Sequence, residues 1–69
     1  MPCTVREELY AKAQDVLLQI RDKTQVQLDA LVNRDYAKLM AADKELELLI
    51  GRKERAFGAL RQHTQEHGC

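Results

Sequence analysis

Apolar residues recur along this chain in alternating steps of three and four. In the second half, Tyr36, Leu39, Asp43, Leu46, Ile50, Lys53, Phe57, Leu60, Thr64 and His67 follow that spacing without a break. It returns side chains to one helix face every turn. The first half does the same: Leu9, Ala13, Val16, Leu17, Ile20, Thr24, Leu28 and Leu31 share one side at helical period. The pattern predicts one helix from about Val5 to Val32 and a second from about Tyr36 to Glu66.

Local signals mark the boundaries. Thr4-Val5-Arg6-Glu7 has the form of a capping box, with Thr4 taking a first-turn amide proton and Glu7 reaching back. Asn33-Arg34-Asp35 is the candidate turn. Asn33 tolerates the left-handed conformation that ends helices, and Asp35 can cap the next one. The rival is one uninterrupted helix, but a short polar connection is typical between antiparallel helices. The expectation is a single all-α domain over residues 1–69, a two-helix antiparallel hairpin.

The stripes are wider than a two-stranded seam needs. In the second helix, Ala42, Leu49 and Ala56 extend the apolar region on one flank and Met40 lies near the other edge. Such width suits four helices, each touching two neighbours, so two hairpins are expected to dimerise into a four-helix bundle. The residues expected to carry these contacts are Leu9, Val16, Leu17, Ile20, Leu28 and Leu31 from the first helix. From the second they are Leu39, Leu46, Leu49, Ile50, Phe57 and Leu60. Thr24, Asp43 and Lys53 interrupt the stripes, where polar residues can set register or, for lysine, lay an apolar stem along the seam. Leu18 and Val26 fall off the stripe. Gly51 and Gly58 are seven apart and stack on one side, either as a tolerated loss or as a groove for another backbone.

Composition agrees with helix. Residues 3–67 contain no proline, and Leu, Ala, Glu, Gln, Lys and Arg dominate. At 69 residues the chain makes one small, marginal core, which a second copy, a metal or a disulfide would reinforce. Eleven basic and eleven acidic side chains cancel, and they also cancel within each half. Neither half has the positive excess that nucleic-acid binding draws on. The apolar runs Val16-Leu17-Leu18 and Leu48-Leu49-Ile50 are too short to span a bilayer. No signal segment stands out in the first twenty residues, so the cytoplasm is the default location.

One constellation could carry chemistry. His63 and His67 are four apart, which places both rings on one helix side, and Cys69 follows. A hairpin brings Cys3 to the same end. Cys3, His63, His67 and Cys69 would make a two-thiolate, two-imidazole set suited to structural Zn(II). The alternatives are a disulfide between the two cysteines, or histidines that merely complement the helix dipole. Catalysis is not expected. The chain has no serine, its cysteines are terminal, and a thin hairpin offers no cleft to exclude water. The expected function is therefore non-enzymatic: a self-associating protein-interaction or regulatory module, forming a homodimer and able to dock a further protein. The alternative is a small zinc-binding protein.

Overall fold

A computed structural model describes residues 3–67. Two α-helices, α1 (Thr4–Val32) and α2 (Tyr36–His67), pack side by side as an antiparallel hairpin, and no strand occurs among the described residues. The molecule is 52 Å long and 11 Å across its thinnest direction, a single layer of two helices.

The turn is built from backbone bonds. The Arg34 amide donates to the Leu31 carbonyl at 3.2 Å, and the Asp35 amide donates to the Ala30 carbonyl at 2.8 Å. Those two bonds form a Schellman motif, which satisfies the last carbonyls of α1. Its left-handed residue is Arg34, with φ 55°. Asn33, the residue expected there, has φ −87° and ψ 0°; it is the cap itself, one position early. Asp35 starts the next helix at once. Its Oδ1 accepts from the Lys38 amide at 3.1 Å, and its carbonyl accepts from the Leu39 amide at 3.0 Å.

The other end of α1 departs from the expected capping box. Cys3 is the N-cap, its carbonyl accepts from the Glu7 amide at 3.1 Å, and no side chain caps the amides. Thr4 is already helical, so its hydroxyl is not placed as the box requires.

The seam between the helices is narrow. Leu9, Ala13, Val16, Ile20, Lys23, Gln27 and Ala30, spaced by fours and threes, are among the less exposed positions of α1. In α2 they include Leu39, Ala42, Leu46, Leu49, Ala56, Leu60 and His63. The buried side chains among the described residues are Ala13, Val16, Ala30, Ala42 and Leu49. Three of the five are alanine, so the helices meet with little apolar volume between them.

This seam is offset from the frame that periodicity suggested for α2. Ala42, Leu49 and Ala56 lie at its centre, not on a flank, while Tyr36, Asp43 and Ile50 are exposed beside it. The physical reason is that α2 has three apolar columns, and a partner helix can cover only two. The columns with alanine allow the closer approach. Gly51 and Gly58 lie off the seam. A Cβ built on Gly58 meets nothing within 4 Å, so among the described residues no backbone beyond its own stretch of helix approaches it.

Candidate functional sites: an uncovered apolar side and a Cys–His end

The two flanks of the hairpin differ in chemistry. On one flank polar side chains reach across the seam. Lys23 forms a salt bridge with Glu45, and an Arg52 Nη1 donates to Gln19 Oε1 at 3.5 Å. Lys12, Asp15, Arg52 and Arg55 line the same flank nearer the chain ends. Long charged side chains cover the seam here and hold their charges in water.

The opposite flank carries most of the larger exposed apolar side chains. Tyr10, Leu17, Thr24 and Leu31 recur every seven residues along α1; Tyr36, Asp43, Ile50 and Phe57 do so along α2. Spacing of seven is two turns, so each set forms a column along its helix. Antiparallel helices place these columns next to each other. Tyr10 shares a surface depression with Phe57 and Leu60, and Leu31 shares one with Tyr36 and Leu39. Between those levels, Gln27 Nε2 donates to Asp43 Oδ1 at 3.3 Å.

Nothing among the described residues covers this side. Leu17 is 44% exposed, Leu31 53%, Tyr36 72% and Ile50 48%. Leu28 and Met40 widen the same surface and are also exposed. Of the twelve residues expected to make apolar contacts, Leu9, Val16, Ile20, Leu39, Leu46, Leu49 and Leu60 serve the seam. Leu17, Leu28, Leu31 and Ile50 are exposed, and Phe57 is half-buried between the two roles.

The polar interruptions behave differently from one another. Thr24 turns its hydroxyl back to the Ile20 carbonyl at 2.7 Å. Asp43 is exposed and takes the Gln27 bond described above. Lys53 is exposed, with its Nζ 5.8 Å from the centre of the Phe57 ring, a cation–π contact. All three stay in contact with water, so none is a buried charge.

At the open end of the hairpin, Cys3 Sγ lies 3.1 Å from His63 Nε2. The His63 and His67 rings are tilted against each other with centroids 4.8 Å apart. Of the four residues expected to bind metal, His63 thus lies beside both Cys3 and His67, and Cys69 lies outside the described residues. Cys3 is disulfide-bonded. A sulfur in a disulfide is not the thiolate that zinc takes, and no group of three potential metal-binding side chains is poised for an ion among the described residues.

No described helix is long and apolar enough to cross a membrane. Comparison of the chain with protein-family models, curated proteins and solved structures finds no match.

Proposed function

We propose that this hairpin is a non-enzymatic interaction module that self-associates through its apolar flank, two copies forming a four-helix bundle. The observation that carries the reading is the exposed apolar cluster around Leu17 and Ile50, on the flank away from the cross-seam polar contacts of Lys23 and Arg52. Isolated exposed aliphatics are ordinary, whereas a contiguous apolar side marks a contact surface.

Area supports it. The chain exposes 5463 Å², whereas a compact monomer of the same mass exposes about 4,400 Å². The excess, about 1,000 Å², is comparable with the roughly 800 Å² that each partner buries in a standard interface. A bundle would supply the core that one layer of two helices lacks. A further protein could dock on the remaining surface of such a bundle.

Two substitutions one residue apart test the reading. Leu17 lies on the apolar flank and Leu18 faces away from the seam. Leu17→Asp should weaken self-association at least tenfold, a change of about 1.4 kcal/mol, in size-exclusion chromatography with light scattering. Leu18→Asp should leave it within about twofold, a few tenths of a kcal/mol. Equal behaviour of the two variants would remove the flank from the interface.

A second reading, zinc binding, is favoured by the 3.1 Å approach of Cys3 to His63. It applies to the reduced chain, the form a cytoplasmic setting would maintain. Cys3, His63 and His67, with Cys69, would be the ligands. Native mass spectrometry of reduced protein exposed to Zn(II) tests it; absence of a one-zinc species would exclude it.

A further inference from the structure

Resting on the self-association proposed above, we infer that the two copies lie in reversed orientation, the turn of one hairpin against the open end of the other. Leu17 and Ile50 would then sit at the centre of the contact.

The apolar flank is not uniform along its length. Tyr10 lies seven residues from Leu17 toward the open end, and Thr24 lies seven residues from it toward the turn. Phe57 and Asp43 are related to Ile50 in the same way. Seven residues span about 10.5 Å of helix. The flank therefore has a bulky aromatic level below its centre and a small, polar level above it, at equal distances.

Two closed pairings can bury such a flank. With both turns at one end, the aromatic levels coincide: four rings crowd one layer, and both Asp43 carboxylates share another. That layer would hold two like charges while losing water, and each charge would be costly to bury. In the reversed pairing the levels interleave. Tyr10 and Phe57 of one copy meet the level of the partner's Thr24 and Asp43. Large side chains then face small ones, which keeps the layer thickness even. The two carboxylates lie about 21 Å apart along the bundle. Each has a tyrosine hydroxyl of the other copy at its own level, a donor suited to a carboxylate.

Both pairings are two-fold symmetric and bury the same surface, so area does not separate them; the placement of Asp43 and Phe57 does. The Gln27 bond to Asp43, at 3.3 Å, leaves the carboxylate with further capacity to accept.

Isotope-filtered NOE spectroscopy on an equal mixture of labelled and unlabelled full-length chain tests the orientation. Light scattering on the same sample fixes its mass. Reversed pairing predicts contacts between the Phe57 ring of one chain and the Met40 methyl of the other, with no ring-to-ring contact from Phe57 to the partner's Tyr10. A dimeric mass with Phe57–Tyr10 contacts between chains would overturn the orientation and leave self-association standing. A dimeric mass with no contact between chains from Tyr10, Leu17, Ile50 or Phe57 would overturn the choice of flank as well. A monomeric mass would defeat the self-association itself.

Discussion

Cys3 and His63 are 60 residues apart in the chain and 3.1 Å apart in space. That contact lies at the open end of the hairpin, where the N-cap of α1 meets the last turns of α2. The N-cap of α1 is also held covalently, since Cys3 is disulfide-bonded. A disulfide typically stabilises the folded form by about 2–4 kcal/mol, chiefly by restricting the unfolded chain. Reduction by a dithiol should therefore lower the urea midpoint clearly, at fixed protein concentration. An unchanged midpoint would show that the bridge contributes nothing to the fold.

The seam assigns opposite weights to neighbouring leucines. Leu49 is 7% exposed and Leu48 is 72% exposed. Leu49→Ala should cost about 2–3 kcal/mol, combining lost burial with the cavity left behind. Leu48→Ala should stay within about 0.5 kcal/mol. Chemical unfolding followed by circular dichroism measures both. The reverse ranking would mean that α2 is rotated from the position described.

The turn holds a non-glycine residue in left-handed conformation. Arg34 has φ 55° at the Schellman position that glycine usually fills. Left-handed backbone costs an L-residue with a Cβ about 1 kcal/mol or more. Arg34→Gly should thus raise stability by about 0.5–1 kcal/mol, after allowing for the greater freedom of glycine in the unfolded chain. Thermal unfolding would show it as a rise of a few degrees; a fall would mean the arginine side chain holds the turn.

The two-helix architecture was legible in the sequence because three-four periodicity runs on both sides of a short polar break at Asn33-Arg34-Asp35. The rotation of α2 was not. Its apolar surface spans three columns, one through Ala42, Leu49 and Ala56, one through Leu39, Leu46 and Leu60, and one through Ile50 and Phe57. Periodicity alone does not say which two face the partner helix. Close approach decided for the alanine column, since Ala42 is 3% exposed. The capping signal misled for a related reason: Thr4 and Glu7 have the right spacing, but Cys3 takes the cap one residue earlier. The Cys–His end was half legible. Four-residue spacing places His63 beside His67, and only the return of the chain brings Cys3 to them.

The rotation of α2 is also what produces the exposed column. Had Ile50 and Phe57 faced α1, the hairpin would have had alanines on its flank and little reason to associate. Instead the residues that give the closest helix contact leave the larger side chains outside, beside Leu17 and Leu31.

Sedimentation equilibrium of the full-length chain at micromolar concentration tests this account most directly. A self-associating hairpin has a mass twice the 7.9 kDa of one chain, falling to that of one chain when Ile50 is changed to Asp. A folded, helical wild-type protein of single-chain mass throughout the concentration range would contradict it.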